Sequence, residues 1–304
     1  MATNDNLTDF LADVADAIRS VKGTAEKINP QMFSPLILTL ANGEKKGLNW
    51  EALGYTQPEQ VELAESPLVN GYDYALDVLN NWDNTITNGY QKHYQDANMV
   101  YFPLVDTGNI TNFISLLNRC TNMLVCADID TSNGVTFGYM FAVCSSLKVG
   151  PNLDLSKATA VNDMFSECTS LVRVPEYDTS KAANLRGMFY NCANLQRVEG
   201  IDYSSVDTAA DAWYNCTSLR YLLIKNFGKA APTLYYFSTL TNWGIDSAEV
   251  PDAKQSLVDT FITYAYDRVA AGLGSVTVTL SANTKAALTE AEIAQMTAKG
   301  ITIA

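Results

Sequence analysis

Apolar positions recur with a fixed period through the middle of the chain. An apolar pair, a cysteine and then usually a leucine return at a constant interval, as in MFAVCSSL, MFSECTSL and MFYNCANL. The stretch that begins at this leucine, such as Leu171–Val174, alternates apolar and polar residues, which is typical of a β-strand with one buried face. Periods of about 20 to 50 residues are typical of repeat architectures. The pattern therefore predicts stacked coils, each with one short strand.

Five cysteines and a column of aspartates mark the repeat. The cysteines follow one another at the same interval without exception, at Cys120, Cys144, Cys168, Cys192 and Cys216. After the first four of them, at one fixed offset, come Asp130, Asp154, Asp178 and Asp202. The same register reaches Leu240 downstream and Asp106 and Asp83 upstream. About seven units thus cover roughly residues 74 to 243.

The cysteine column and the aspartate column can each be interpreted as structural residues or as a reactive or metal-binding site. Neighbouring coils would bring the cysteines close enough for a disulfide, but we favour buried structural thiols, since free cysteine behaves as a small hydrophobe. A metal site is disfavoured because the chain has no Cys-x-x-Cys spacing and no Cys/His pairing. Aspartate followed by Thr-Ser is typical of a side chain that closes its own turn, and we prefer this to a calcium ladder.

The repeat resembles the BspA-like leucine-rich repeats of bacterial surface proteins and of phage structural proteins. The matching segments are MFAVCSSL, MFSECTSL and MFYNCANL, joined by segments such as DLSKATAVNDMF. The resemblance implies a leucine-rich-repeat-like α/β solenoid in which each coil of about 24 residues contributes one short parallel strand. It leaves the ligand open, because one scaffold serves many functions.

The N-terminal region, residues 1–46, is predicted to be a helical anchor that also joins copies of the chain. Its apolar residues follow helical spacing and form a seam suited to docking on the same chain or to a small helical bundle, for which we favour a homotrimer: Leu7, Leu11, Val14, Ile18 and Val21. The segment Phe10–Ile37 is similar to the opening of many phage tail and fibre proteins. Residues 47–73 are interpreted as a connector.

The C-terminal region, residues 244–304, is predicted to be a small α/β cap on the solenoid, which occupies residues 74–243. We expect a helix over Ser256–Gly272 with Val269 on its apolar face, then a strand in SVTVTLS. A second helix opens at Thr289 with a capping pattern, and ITIA closes the chain as a strand. The region resembles the closing module of BspA-like proteins.

Composition narrows the function classes. The 304 residues carry a net charge of −13, which argues against a nucleic-acid partner. The single histidine, His93, has no catalytic motif beside it and is interpreted as a surface or turn residue, so we expect no enzyme, no catalytic residues, no cofactor and no metal. The chain has neither a long apolar run nor a secretory signal, so we expect no membrane insertion and favour a virion protein over an exported adhesin.

One row of residues suggests where a partner binds. We expect the residue five places after each cysteine slot to lie on the strand face turned away from the core. Tyrosine and arginine are enriched where partners anchor, and four residues of this row are Tyr101, Arg173, Arg197 and Tyr221. Tyr190 and Tyr214 are expected along the adjoining edge. The alternative is that the arginines only solvate the sheet.

These features favour a phage virion protein, a fibre or tail-associated subunit that displays its repeat face to a host protein or glycan. Its N-terminal segment would bind other virion proteins. Two alternatives stay open. One is a capsid or tail decoration protein without a receptor, and the other is a bacterial BspA-like surface adhesin.

Overall fold

A computed structural model describes residues 74–304 except 76, 230–234, 238 and 249. The predicted N-terminal helical anchor and its seam, the connector 47–73 and the segment Phe10–Ile37 lie outside the described residues.

Residues at equivalent positions of successive repeats pair in parallel along two lines of the chain. The first line of bridges joins Asn88, Asn112, Thr136, Ala160, Asn184 and Thr208 in succession. The second contains strands β1 (Tyr101–Phe102) and β2 (Val125–Cys126), which pair with each other, and β3 (Arg197–Asp202) and β4 (Tyr221–Lys225), which do likewise. Bridges from Val149 to Arg173 and from Arg173 to Arg197 add two earlier repeats to the β3–β4 pair. Successive repeats therefore stack in register.

The segment before each cysteine bonds to the next repeat through alternate N–H groups. The Phe113 N–H donates to the carbonyl oxygen of Thr136 at 2.8 Å, and the Ser115 N–H donates to that of Gly138 at 2.9 Å. The Ile114 N–H donates to the side-chain oxygen of Asn112, and later intervening N–H groups donate three residues back, as Leu116 does to Phe113 at 3.2 Å, and close tight turns. This geometry puts two residues of each repeat at positive φ, for example Val143 at 61°.

The core is a set of columns that run across the repeats. The aromatic slot before the cysteine forms one stack, with ring centroids 5.2 Å apart for Phe141 and Phe165, 5.5 Å for Phe165 and Phe189, and 5.3 Å for Phe189 and Trp213. The leucines three residues after the cysteines are fully buried beside it. All six cysteines are buried and free, which agrees with the prediction of buried thiols.

The aspartate column closes turns, as predicted. The side chains of Asp130, Asp154 and Asp178 each accept a hydrogen bond of 2.9 Å from the backbone N–H two residues later. Thr131, which follows Asp130, is buried, and its hydroxyl donates to the carbonyl oxygen of Asp154 in the next repeat. The turn is thus tied both to itself and to its neighbour.

Where the strands begin differs from the prediction. Strict alternation from Leu195 would turn Arg197 inward, two residues further on. The structure starts β3 at Arg197 instead, so Leu195 and Val198 are both buried and the two residues between them face outward. The outward placement of the row is therefore correct, but the strand that produces it starts two residues later than the leucine.

A short helical segment packs on the first repeat. Residues 74–75 and 77–80 are helical, and Ala75 and Val78 are buried. The Tyr74 hydroxyl donates to a carboxylate oxygen of Asp96, which stands in the first cysteine slot. A thiol there would have no preceding repeat among the described residues to bond to, whereas a carboxylate accepts this tyrosine.

Two strands of the C-terminal region, β6 (Val276–Leu280) and β7 (Ile301–Ile303), form a parallel sheet with β5 (Tyr235–Phe237) of the preceding segment, in the order β5, β6, β7. The prediction of strands in SVTVTLS and ITIA is confirmed. Helix α1 (Ala253–Val258) continues as a π-helical turn (Asp259–Thr263).

Two more helices lie between β6 and β7, namely α2 (Ala282–Ala286) and α3 (Glu290–Ala298). The Thr289 side chain and Glu292 form the predicted capping box of α3.

The predicted helix over Ser256–Gly272 is wrong in its second half. Helical structure ends at Thr263, where the chain turns so that the Tyr266 N–H donates to the Phe227 carbonyl oxygen at 2.9 Å. Leu257 and Phe261 are buried as expected, but Val269 is 57% exposed. The hydrogen bond between Tyr266 and Phe227, which are distant in sequence, thus replaces the helical structure that the local apolar spacing predicts. The leucine-rich-repeat-like α/β solenoid as a fold class stays a prediction, as do the domain limits.

Candidate binding face

Four of the six predicted partner-binding residues, Tyr101, Arg173, Arg197 and Tyr221, lie at the same position of their repeats. We call the residues at this position the outer row. Within it Tyr101 pairs with Val125, and Val149, Arg173, Arg197 and Tyr221 pair in succession. Arg173 is exposed and the other five side chains are half-buried. Neighbours in a parallel ladder lie about 4.8 Å apart, so one partner can contact two paired members of the row.

Arg197 and Tyr221 contact each other directly within the outer row. The guanidinium carbon of Arg197 lies 3.6 Å from the centroid of the Tyr221 ring, in cation–π geometry. The β3–β4 register places these two residues directly opposite each other. Their stacking fixes two large side chains before any partner arrives, which lowers the entropy that binding would lose.

Two carboxylates hold the Arg197 guanidinium from the sides. Its Nη1 and Nη2 atoms donate to the two carboxylate oxygens of Asp252 at 2.8 and 3.0 Å, and its Nε donates to Glu199 at 2.6 Å. The hydrogen bond to Arg197 is the main reason that the pKa of Asp252 lies below its usual value. Because Asp252 precedes α1, Arg197 ties the repeats to the C-terminal region as well as facing outward.

Arg173 differs from Arg197 in its ionic contacts. It lies one repeat away, is exposed, and forms no salt bridge within the part of the chain that the structure describes. Lys148, the residue before Val149, is exposed and likewise unpaired among the described residues. The outer row thus presents free positive charge at its centre on a protein whose net charge is −13.

The other half of the outer row is apolar. Tyr101, Val125 and Val149 are half-buried. Two leucines in the repeats of Tyr101 and Val125 are exposed, Leu104 at 36% and Leu124 at 37%. Leu124 and Lys148 occupy the same position in successive repeats, so an apolar surface runs directly into the cationic one. The residues selected from the sequence did not show this division of the surface into an apolar half and a cationic half.

Tyr190 and Tyr214 do stack, at 5.2 Å between centroids and 12° between planes. Tyr214 is exposed and Tyr190 half-buried. They belong to the turn segment before the cysteines, and each precedes the outer-row residue of its own repeat, Arg197 or Tyr221. They form a separate aromatic feature, since no hydrogen bond or ring contact among the described residues joins them to the outer row.

His93 lies in a turn, as predicted, but its side chain is only 13% exposed rather than on the surface. It stacks on Trp82 and packs edge-on against Phe102, with Nδ1 at 3.5 Å from an Asp96 carboxylate oxygen. Burial lowers its pKa, so the neutral ring is favoured at neutral pH. Its Nε2 is buried and has no hydrogen-bond partner within the described residues, and no nucleophile is among these contacts.

The cysteine column offers little reactivity. Desolvation raises the pKa of Cys168 and Cys216 to about 12, so both thiols stay protonated. Among the described residues no group of three or more His, Cys, Asp or Glu side chains is arranged to hold a metal ion. Over the same residues, no helix has the length and apolar character needed to cross a bilayer.

Sequence reasoning missed the residues that make Arg197 rigid. Glu199 lies two residues after Arg197 on the same strand, so this contact could have been predicted. Asp252 is 55 residues away in a region outside the repeat register. Lys148, Leu104 and Leu124 were missed because only one position per repeat was followed. The signal for Lys148 and Leu124 was available, since both occupy the slot immediately before the outer row.

Comparison with known proteins gives one family match, to a family described as Mycoplasma protein of unknown function, DUF285. Its model matches residues 87–198 and again residues 111–227, and the second match starts one repeat after the first. That family is related to BspA-like repeat proteins, in agreement with the resemblance of the repeat region. Searches of curated proteins and of solved structures each found no significant match.

Proposed function

We propose that the protein is a non-catalytic binding component of a phage virion, a fibre or tail-associated subunit that contacts its target through the outer row. The observation that carries the binding role is the Arg197–Tyr221 pair, stacked at 3.6 Å and held by Asp252 and Glu199. Ordered arginine and tyrosine side chains on an outward face are typical of residues that anchor partners. The repeated scaffold supplies a continuous surface for them.

The virion setting rests on the similarity of Phe10–Ile37 to the opening of phage tail and fibre proteins. In this proposal the N-terminal segment docks on other virion proteins and assembles the chain as a homotrimer. The protein is then assembled in the host cytoplasm and meets its target after lysis. A decoration protein without a receptor would share this location but would not use the outer row.

A bacterial BspA-like surface adhesin is the second candidate, and one observation favours it. The matching family is described as a Mycoplasma protein of unknown function, which names a bacterium and not a phage. The binding role of the outer row is the same in both candidates. They differ in where the protein is found.

Location is tested with an antibody against the full chain, applied to particles purified from a lysate of the source culture and to intact source cells. Gold label on particle tails or fibres in electron micrographs supports the virion proposal. Label confined to the cell surface supports the adhesin and contradicts the virion setting, and label on neither contradicts both.

The binding role is tested with full-length Tyr221→Ser, which removes the stacked ring but leaves the Arg197 ion pairs in place. We expect attachment to host cells to fall at least tenfold, about 1.4 kcal/mol. Tyr264→Ser, at a tyrosine 45% exposed in the C-terminal region, is the matched control and should attach normally. Equal attachment by both variants would contradict the role of the row.

Arg197→Glu is a poorer test than sequence reasoning indicates. The sequence alone predicts that this change, combined with Tyr221→Ala, removes binding without altering the melting temperature. Because Arg197 bonds to Asp252 at 2.8 and 3.0 Å, its replacement by an acid would also repel the start of α1. A loss of binding in that variant would not distinguish lost contacts with the partner from lost stability of the fold.

A further inference from the structure

We infer that the outer row binds an acidic segment of a partner protein, in which apolar side chains are followed by carboxylates. The inference rests on the proposed binding function and adds the chemistry of the partner. It rests on the difference in ion pairing among the charged side chains along the row, and not on the Arg197–Tyr221 pair that carries the proposed function.

The cations at the centre of the row are not neutralised within the chain. Arg197 has two carboxylates on its guanidinium, whereas Arg173 and Lys148 have none among the described residues. Two acids lie three residues after an outer-row position, Glu176 after Arg173 and Asp128 after Val125, and both contact groups other than these cations. Glu176 lies 3.9 Å from Lys225, and Asp128 accepts two hydrogen bonds from Asn152.

An arginine is well suited to a carboxylate partner. Its planar guanidinium donates two parallel hydrogen bonds to a carboxylate, and it is more weakly hydrated than an ammonium group. Lys148 adds a second positive charge in the neighbouring repeat, because the Val172 N–H beside Arg173 donates to the Lys148 carbonyl at 2.8 Å. Two cations at this spacing select a segment with more than one acidic residue.

The apolar half of the row selects a protein over an anionic glycan. Leu104, Leu124, Val125 and Val149 offer aliphatic surface in the repeats that precede Arg173, and aliphatic side chains of a partner gain free energy by covering it. A carboxylated sugar would satisfy Arg173 but would leave the leucines uncovered. Charge and apolar surface together therefore favour a polypeptide.

The test uses the full chain and a fluorescein-labelled peptide with a leucine-rich half and a glutamate-rich half, followed by fluorescence anisotropy. We expect saturable binding that weakens as salt is raised, and about tenfold weaker binding by Arg173→Glu or Lys148→Glu. Arg186→Glu makes the same charge change at an exposed arginine of the turn segment and should bind like the parent protein. The melting temperature of each variant checks folding, and Arg173→Gln gives a variant without added repulsion.

Equal affinity of the parent and Arg173→Glu proteins, or equal binding of a peptide with lysine in place of glutamate, overturns the inference. Tighter binding of polysialic acid than of the acidic peptide also overturns it, in favour of a glycan. These results are distinct from failure of the proposed function. Loss of cell attachment in Tyr221→Ser with no preference for the acidic peptide leaves the binding role standing and removes only this partner class.

Discussion

The thiol of Cys168 donates a hydrogen bond to the backbone carbonyl oxygen of Phe141, in the preceding repeat, with Sγ and O 3.0 Å apart. The same oxygen accepts the N–H of Cys144 from its own repeat at 3.1 Å. Four more cysteines make the equivalent bond to a residue 27 places earlier: Cys120, Cys144, Cys192 and Cys216. Each thiol therefore links two repeats within the core.

This geometry predicts the effect of removing one thiol. Cys168→Ala deletes a buried sulfur and leaves the second lone pair of the Phe141 carbonyl without its donor. We expect the free energy of unfolding to fall by about 1–2 kcal/mol, as measured by urea denaturation. Ala142→Ser, at a buried turn residue outside the column, is a control for a small perturbation. A stability unchanged by Cys168→Ala would contradict the role of the thiol bond.

Burial of all six cysteines predicts slow alkylation of the native protein. Because desolvation raises the pKa of Cys168 to about 12, hardly any reactive thiolate exists at pH 8. A short iodoacetamide pulse followed by mass spectrometry should find the native chain unmodified and the urea-unfolded chain with six labels. Rapid labelling of any native cysteine would show that its repeat opens or is misplaced.

Val143 is expected to be a site of backbone strain. Its φ of 61° lies in the left-handed region, which is unfavourable for a β-branched residue. Asn191 and Asn215 occupy the same slot in later repeats, and asparagine tolerates this conformation. Val143→Asn should therefore raise the free energy of unfolding by about 0.5–1 kcal/mol in a urea titration.

Val135→Asn is the control for that gain. Val135 is 38% exposed and is not among the residues at positive φ, so the replacement removes an apolar side chain without relieving strain. We expect no stabilisation there. Equal changes in the free energy of unfolding for Val143→Asn and Val135→Asn would mean that relief of the positive φ does not cause the gain.

The aspartate column makes stability depend on acid pH. Hydrogen bonds from the Ser156 side chain and backbone lower the pKa of Asp154 in the folded state. A folded pKa below the unfolded value, about 4, means that the stabilisation is complete above pH 4 and is lost as pH falls through the folded pKa. Thermal melts between pH 7 and pH 2 should show this loss.

Asp154→Asn separates the turn from its charge. The amide oxygen still accepts the N–H of Ser156, but the side chain no longer binds a proton between pH 4 and pH 2. The variant should stay folded and lose slightly less stability on acidification than the parent. A steeper acid transition in Asp154→Asn would contradict this linkage.

Much of the repeat region could be predicted because its information is periodic. A residue type that returns at a constant interval must occupy equivalent places in stacked repeats, so the cysteine column followed from its spacing. Its burial followed from the apolar character of free cysteine. The aspartate turns were equally local, since the bond spans only two residues. The strand starting at Arg197 was not predictable from alternation, because Gln196 and Arg197 both face outward before the inward and outward positions begin to alternate.

The sequence by itself determined the repeat, its columns and the membership of the outer row, because these depend on residue type and spacing. Only the tertiary structure decided which members of that row are free to bind. Arg173 and Arg197 are the same residue in the same slot, yet Asp252, 55 residues from Arg197, neutralises one and not the other. Such a pairing depends on how the C-terminal region packs against the repeats, and no periodicity in the chain encodes it.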